Sequence, residues 1–245
     1  MNAVRILLVG AKGRMGRAVA AAVEKQADLK LVAELDQGDD LKANVGDCDV
    51  VVDFSHASAT PQICGACFDA GKPLVTGTTG HSPEQRAEMA KAAKSIAIVL
   101  APNFSVGVNA LFWLTRKAAE LLGPDFDPEI VEIHHRLKKD APSGTAKRLA
   151  EILCEARNLD AGKNLTHGRE GMIGERPAGE IGVHSIRGGD VVGDHTVIFA
   201  GEGERLELMH KASSRETFAA GALRAARWVV DQPPGLYSME DVLGL

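Results

Sequence analysis

Short apolar runs, glycine-rich turns and helix-like segments alternate along the first hundred residues. Val4–Val9 is almost continuously apolar and predicts a buried strand; Leu29–Leu35 repeats the pattern after a helix expected over residues 17–25. Further strands are expected at residues 49–54, 72–76 and 96–100, with helices at residues 59–70 and 82–94. Strands that alternate with helices predict an α/β domain with a parallel, doubly wound sheet.

The pattern changes near residue 106. An amphipathic helix is expected over residues 107–122, a strand over 129–134 and a helix over 146–156. Three strands follow closely, at residues 182–187, 191–200 and 205–211, and the turns at residues 188–190 and 201–203 predict hairpins between them. This half is predicted to be an α+β domain with a mixed or antiparallel sheet. The helix expected over residues 215–230 and the tail could belong to either half.

A glycine turn, G-A-K-G-R-M-G at residues 10–16, joins the first strand to the first helix. Glycines let the backbone approach a pyrophosphate, whose charge then lies at the helix N-terminus. Asp36 ends the second strand about 20 residues after Gly16, the spacing of an acid that binds the adenosine ribose. The unit predicts a Rossmann-type dinucleotide-binding domain, with a tight turn that holds no ligand as the alternative. Lys12 could reach a phosphate or point into solvent.

Ligands of doubly wound sheets bind beyond the carboxyl ends of the strands. That rule makes residues 77–79 and 101–104 further candidates for the cofactor site, with ordinary connecting turns as the alternative.

The composition, 45% hydrophobic and 25% charged with a net charge of −5, gives no support to nucleic-acid or membrane binding. We expect a cytoplasmic protein, because the sequence shows neither a signal-peptide pattern nor a run of roughly 20 apolar residues. We expect no metal site, because Cys64 and Cys67 lack a second cysteine pair and are better explained as buried thiols.

The stretch E-I-H-H-R-L-K-K-D-A-P-S-G-T at residues 132–145 concentrates candidate chemistry. Proton donors stand beside a turn that opens a helix, and a helix N-terminus is a ready anion site. A regular strand would place His134 and Lys138 on one face and His135 on the other. His135 could therefore contact a substrate only after a bulge or bend; otherwise it is a core histidine. Arg136 and Lys139 lie close to Lys138 in the sequence and form a positive cluster with it.

Six blocks carry a family resemblance. G-A-K-G-R-M-G resembles the glycine loop of the dihydrodipicolinate reductases, and H-H-R-L-K-K-D-A-P-S-G-T-A at residues 134–146 is similar to their signature, H-H-x-x-K-x-D-A-P-S-G-T-A. G-T-T-G at residues 77–80, N-F-S-V-G at residues 103–107, and the pair R-G-G-D-V-V-G and H-K-A-S-S-R at residues 187–193 and 210–215 resemble the remaining blocks. The blocks occur in the family's order over nearly the whole chain.

The resemblance implies reduction of a cyclic, conjugated imine diacid to tetrahydrodipicolinate with NADH or NADPH, in lysine and diaminopimelate biosynthesis. It implies a dinucleotide-binding domain at residues 1–105, with 216–245 packed back on it, and a substrate-binding and oligomerisation domain at residues 106–215. A homotetramer built through the second sheet is also implied.

By motif position, His134 and Lys138 correspond to the catalytic residues. His135, Ser143, Gly144 and Thr145 correspond to substrate-binding positions. The cofactor-binding positions correspond to Gly10, Ala11, Lys12, Gly13, Arg14, Met15, Asp36, Gly77, Thr78, Thr79, Ala101, Pro102, Asn103 and Phe104.

Two departures from the family's pattern matter. Leu137 stands where many relatives carry a basic residue, which weakens the positive cluster slightly. Asp36-Gln37 stands where many relatives carry an acid followed by arginine. Because an acid favours the free ribose hydroxyl and repels the 2′-phosphate, we expect NADH to be used at least as well as NADPH.

Two other functions compete with this one. Another two-domain dehydrogenase of amino-acid metabolism would share the glycine loop, and the block at residues 134–146 argues against it. An NAD-sensing binding protein would usually carry a basic DNA-binding helix or an effector domain, and the acidic sequence shows neither. A flat antiparallel sheet has a face that needs covering, which predicts a homo-oligomer.

Overall fold

The computed structural model describes residues 3–214 and 216–245 of the protein. Its strands in chain order are β1 (Val4–Val9), β2 (Leu29–Leu35), β3 (Val50–Asp53), β4 (Leu74–Thr76), β5 (Ala97–Leu100), β6 (Asp127–His134), β7 (Leu165–His167), β8 (Ile181–Arg187), β9 (Gly193–Gly201), β10 (Glu204–Ala212) and β11 (Gly235–Tyr237). Its helices are α1 (Arg14–Val23), α2 (Leu41–Asn44), α3 (Thr60–Ala70), α4 (Pro83–Ala92), α5 (Val106–Leu122), α6 (Gly144–Arg157), α7 (Ala161–Asn164), α8 (Glu216–Val229) and α9 (Met239–Leu243).

By the density of its internal contacts the chain divides into two compact units. The first consists of Met1–Val106 together with Arg215–Leu245, and the second of Gly107–Ser214. In the described part of the chain, no helix is both long and apolar enough to cross a membrane.

A six-stranded parallel sheet organises the first unit. Its order is β11-β5-β4-β3-β1-β2, and every neighbouring pair is parallel. Alternate residues of β1 enter different cores: Ile6 lies in a core with residues of α1 and α8, whereas Leu7 lies in one with residues of α3. Because helices cover both faces, these strands must be apolar at nearly every position. The predicted doubly wound α/β fold is confirmed.

The local sequence pattern locates some elements better than others. β1 and β2 have the predicted bounds, but α1 begins at Arg14, three residues before the expected start, because the glycine turn closes with a hydrogen bond from the Gly13 N–H to the Gly10 carbonyl at 3.1 Å. In the tail, β11 and α9 were not predicted, since each is too short to show a period.

The second unit contains a five-stranded mixed sheet of order β10-β9-β6-β8-β7. β6 pairs in parallel with β8 and antiparallel with β9, which confirms the prediction of a mixed sheet. The hairpin predicted at residues 201–203 is present between β9 and β10. The hairpin predicted at residues 188–190 is wrong, because β6 lies between β8 and β9. There the Gly188 N–H donates to the His134 carbonyl and the Arg136 N–H to the Gly189 carbonyl.

Strand register decides which side chains meet on the mixed sheet. Glu132 of β6 lies opposite His195 of β9 and beside Ser185 of β8, and His134 lies beside Arg187. On the covered face, Ile130, Val183 and Val197 pack with apolar residues of α5 and α6. Three segments distant in sequence therefore bring their polar groups together at one end of this core.

The opposite face of the mixed sheet carries apolar side chains that the unit itself does not bury. Ile186 is 47% exposed and Met209 is 53% exposed. By register, the half-buried Ile133 lies next to Ile186 on the same face. This arrangement is the uncovered sheet face that the sequence predicted.

Candidate active site

The glycine turn of the first unit is built for close backbone approach. Gly10 has a φ of +80°, and a Cβ at Gly16 would lie 2.2 Å from the Gly10 carbonyl oxygen. Gly13 precedes α1 without a capping side chain, so the first backbone N–H groups of the helix are open to a ligand. These features fit a dinucleotide pyrophosphate.

Asp36 lies next to this turn at the end of β2. Its carboxylate accepts hydrogen bonds from the backbone N–H of Gln37 and from that of Lys12, each at 2.9 Å, and these bonds lower the pKa of Asp36. The carboxylate is therefore ionised at neutral pH, as a partner of a ribose hydroxyl must be. The Lys12 side chain is exposed.

A cleft of about 740 Å³ opens at the carboxyl ends of β1, β2 and β3. Gly10, Gly13 and Asp36 line it, together with Phe54 and His56. The cleft thus combines three residues of the predicted cofactor set with two that sequence reasoning did not assign. Its lining fits the adenosine part of a dinucleotide, with an acid for the ribose and apolar surface for the base.

Phe54 connects the remaining predicted cofactor segments. Its ring meets the Phe104 ring edge-on with centroids 5.8 Å apart, and a Cβ at Gly77 would lie 2.1 Å from the ring. Thr78 is buried, and its hydroxyl has no partner among the described residues. The other predicted cofactor residues are buried at Ala101, half-buried at Met15 and Asn103, and exposed at Arg14, Thr79 and Pro102.

A buried carboxylate organises the candidate site of the second unit. Glu132 has no exposed surface, and the Arg187 guanidinium donates two hydrogen bonds of 2.8 Å to its carboxylate. The Ser143 backbone N–H donates to Glu132 Oε1 at 3.1 Å. Burial by itself raises the pKa of Glu132, but the hydrogen bonds from Arg187, His134 and Ser185 outweigh it and bring the pKa down to about 2. Glu132 is therefore an anion at neutral pH.

This anion fixes the proton arrangement of His134. An ionised carboxylate can only accept, so the His134 Nδ1–H donates to Glu132 Oε2 at 2.5 Å. Burial lowers the pKa of His134, although Glu132 opposes the shift, so the neutral ring is favoured. Its Nε2 is then the free nitrogen. Gly193 lies beside it, and a Cβ there would be 2.9 Å from Nε2.

The helix α6 begins inside the predicted signature. Ser143 is its N-cap, and its hydroxyl accepts the Ala146 N–H at 3.1 Å. Gly144 and Thr145 therefore belong to the first helical turn, two residues before the expected helix start. Ser143 Oγ also lies 2.9 Å from His195 Nε2. The predicted anion-binding turn is thus attached to Glu132 through its backbone and to β9 through its side chain.

The predicted strand end at residue 134 is confirmed, and the strand does not continue through Lys138. β6 ends at His134, and a turn closes with a hydrogen bond from the Lys138 N–H to the His135 carbonyl at 3.1 Å. His134 and Lys138 therefore do not share a strand face. The bend that His135 required is present directly after His134. The His135 ring is half-buried, and its Nδ1 has no partner among the described residues.

Lys138 has a counter-charge that the sequence reasoning did not assign. Its Nζ lies 2.9 Å from Asp140 Oδ1 and 3.0 Å from Oδ2. The Asp140 carbonyl in turn accepts a hydrogen bond of 2.7 Å from Arg187 Nη2. Arg187 therefore links the segment that carries Lys138 to the buried Glu132.

Sequence reasoning missed Glu132, Arg187 and His195 as parts of this site. A signal was available for two of them: Glu132 opens the charged stretch, and Arg187 opens one of the family blocks. His195 had no such signal.

In the described part of the chain, no group of three or more His, Cys, Asp or Glu side chains is arranged to hold a metal ion. All four cysteines are free and buried.

Comparison with known proteins decides the family. Residues 4–104 match the family model described as dihydrodipicolinate reductase, N-terminus, and residues 107–243 match the model described as dihydrodipicolinate reductase, C-terminus. The chain belongs to the dihydrodipicolinate reductase family. The sequence resemblance is confirmed.

Relatives of this reductase family resemble the chain over its whole length. The 4-hydroxy-tetrahydrodipicolinate reductase of Akkermansia muciniphila is 57% identical over 99% of this chain and 98% of that protein. The protein of the same name from Nitrosomonas europaea is 46% identical over 100% of both chains. A dipicolinate-bound dihydrodipicolinate reductase from Paenisporosarcina sp. TG-14 superposes with a TM-score of 0.79 at 26% identity, covering 96% of this chain and 97% of the other.

A first prediction concerns the buried carboxylate. Glu132→Gln should lower the free energy of unfolding at pH 7 by about 3 kcal/mol, because it leaves the half-buried guanidinium of Arg187 without its anion. The native pKa of about 2 lies below the ordinary 4.5, so on acidification the unfolded chain takes up the proton first. The stabilisation by Glu132 is therefore complete above about pH 4.5 and is lost between about pH 4.5 and pH 2.

Denaturant unfolding at pH 7 and pH 3.5 checks this prediction. The difference between the wild type and Glu132→Gln should shrink at the lower pH. Glu202→Gln, at an exposed carboxyl, is the control and should stay within about 0.5 kcal/mol of the wild type at both values. A difference that does not change with pH would contradict the ionised state of Glu132.

Proposed function

We propose that this chain is a 4-hydroxy-tetrahydrodipicolinate reductase of lysine and diaminopimelate biosynthesis. It reduces a cyclic, conjugated imine dicarboxylate to tetrahydrodipicolinate with NADH or NADPH. The observation that carries the proposal is the match of both halves of the chain to the dihydrodipicolinate reductase family. The polar network around Glu132 also supports the proposal. The network combines a lysine that can donate a proton, a histidine oriented by a carboxylate and a helix start that can bind an anion.

The first unit binds the cofactor, which supplies a hydride when bound. The open N–H groups of α1 and the glycine turn hold the pyrophosphate, and Asp36 accepts from the adenosine ribose. Ala11, Lys12, Arg14 and Met15 belong to this loop. The segments Gly77–Thr79 and Ala101–Phe104 complete the cofactor site around Phe54.

The second unit binds the dicarboxylate and supplies the proton. The first turn of α6, with Ser143, Gly144 and Thr145, presents donors to a carboxylate, since a helix start attracts negative charge. His135 adds a further contact through its unpartnered Nδ1.

Addition of a hydride to a conjugated imine leaves negative charge that must be quenched by a proton. Lys138 is the donor: its side chain is 20% exposed, and its ammonium is held by the exposed Asp140. His134 offers a bare Nε2 that accepts a proton and can pass it on, because Glu132 holds the hydrogen on Nδ1. Positioned acids of this kind contribute roughly 10²–10⁴ to a rate.

A second prediction tests the activity and the role of Lys138 together. The wild type should oxidise NADH, seen as loss of absorbance, when given the condensation product of aspartate semialdehyde and pyruvate. Lys138→Ala should lower kcat by about 10²-fold, with NADH affinity unchanged, because it removes only the acid. Lys139→Ala, at the neighbouring exposed lysine, is the matched control. Turnover by Lys138→Ala within a factor of about three of wild type would show that Lys138 is no general acid.

A third prediction concerns the choice between NADH and NADPH. The ionised Asp36 repels a 2′-phosphate, so kcat/KM for NADH should equal or exceed that for NADPH. Asp36→Asn removes the charge and should move the ratio towards NADPH by about tenfold. Steady-state kinetics with both cofactors measure this. A wild-type kcat/KM for NADPH about tenfold above that for NADH would refute the assignment.

We also propose that the chain forms a homo-oligomer, in the family pattern a tetramer, through the open face of the mixed sheet. Exposed Ile186 and Met209 support this, since apolar patches on a sheet face favour association.

A fourth prediction follows for the mass in solution. Sedimentation at micromolar concentration should give about four times the chain mass of 25.9 kDa. Ile186→Glu should reduce the mass because it places a charge on the proposed interface. Leu121→Glu, at an exposed leucine of α5, should not change it. A wild-type mass near 25.9 kDa would exclude the assembly.

A further inference from the structure

His195 is a buried histidine to which neither the sequence motifs nor the proposed chemistry gives a role. It is 4% exposed on β9, opposite Glu132. Its Nε2 lies 2.9 Å from Ser143 Oγ, and its ring meets the His134 ring edge-on at 5.2 Å between centroids. Its Nδ1 is buried and has no partner among the described residues.

The hydroxyl of Ser143 has one hydrogen to donate and two lone pairs to accept with. The Ala146 N–H uses one lone pair. The contact with His195 uses either the second lone pair, if Nε2 carries the proton, or the hydroxyl hydrogen, if Nε2 is bare. The tautomer of His195 therefore decides whether the Ser143 hydrogen remains available to a ligand.

The charge state of His195 limits the choice to these two tautomers. Burial, together with the neighbouring His134, lowers the pKa of His195 to about 3, so the ring is neutral near pH 7 and carries one N–H. If that N–H is on Nδ1, a buried donor is left without an acceptor, which is costly. If it is on Nε2, only a lone pair is left unpaired.

A bound carboxylate makes this difference decisive. With the proton on Nε2, the Ser143 hydroxyl donates to the carboxylate, and hydrogen bonds to charged groups are the strong ones. With the proton on Nδ1, the hydroxyl is consumed by His195 and the carboxylate loses that donor. The ligand therefore stabilises the Nε2–H tautomer.

We propose that His195 is a positioning residue: in the dicarboxylate complex its Nε2–H donates to Ser143 Oγ and so directs the Ser143 hydroxyl hydrogen to the ligand. The inference rests on the proposed function, because it takes a dicarboxylate as the ligand. It extends that function to a residue that acts through Ser143.

Nitrogen-15 spectra of the wild-type protein saturated with dipicolinate test the tautomer directly. With histidine labelled, the His195 signals are assigned by their absence in His195→Gln. We expect a protonated Nε2, a bare Nδ1 and no titration across the neutral range, since the pKa is about 3. A protonated Nδ1 in the complex would overturn the proposal. This measurement needs no turnover and no folded variant other than the one used for assignment.

Calorimetric titration with dipicolinate tests the coupling to Ser143. His195→Phe keeps a ring against His134 but has no donor, and should weaken binding by about fivefold. His195→Gln places an N–H near the position of Nε2 and should restore affinity to within about twofold. Adding His195→Phe to Ser143→Ala should cause no further loss, because both changes remove the same hydrogen bond.

The outcomes separate the two proposals. If the wild type binds dipicolinate and reduces the substrate while His195→Phe binds equally well, the role of His195 is refuted and the proposed function stands. Losses that add in the double variant also refute it, because His195 then acts independently of Ser143. If the wild type neither binds dipicolinate nor turns over, both proposals fail.

Discussion

The second unit depends on one buried negative charge. An ionised carboxylate without exposed surface is costly unless it is paired and hydrogen-bonded. Glu132 meets this condition through the Arg187 fork, the His134 ring and the Ser143 backbone N–H. These partners come from β8, from β6 itself and from the start of α6. The charge is therefore satisfied only when the strands pair in register and the helix starts at its observed residue, so the fold and the candidate site rest on the same hydrogen bonds.

The same charge determines which ring nitrogen of His134 carries the hydrogen. Glu132 can only accept, which places a hydrogen on His134 Nδ1 and leaves Nε2 free. Arg187 donates to Glu132 and also to the Asp140 carbonyl, so the irregular segment that carries Lys138 is tied to the buried carboxylate. The segment after His134 is therefore held in place although it is no longer part of a strand. The hydrogen bond from the Arg187 guanidinium to the Asp140 carbonyl does what strand pairing would otherwise do.

Much of the first unit could be predicted from the sequence because its signals are local. The bounds of β1 and β2 and the glycine turn follow from residues that are neighbours in the chain. The network of the second unit could not be predicted in this way. Arg187 and Glu132 are 55 residues apart, and only strand register joins them. The mistaken hairpin at residues 188–190 shows the cause: proximity in sequence suggested that β8 pairs with β9, whereas β6 lies between them.

The two candidate binding regions therefore differ in how strongly a single substitution disturbs them. The cofactor region is built mostly from backbone, with Asp36 as a side chain held by two backbone N–H groups. Replacing Asp36 removes hydrogen bonds to two exposed backbone N–H groups, which water can satisfy instead. In the network around Glu132 the side chains of Arg187 and His134 are bonded to the buried carboxylate, and removing Glu132 leaves both without that acceptor. A substitution in this network therefore needs a compensating substitution at its partner. For that reason we expect the residues around Glu132 to tolerate single substitutions less well than Asp36 does.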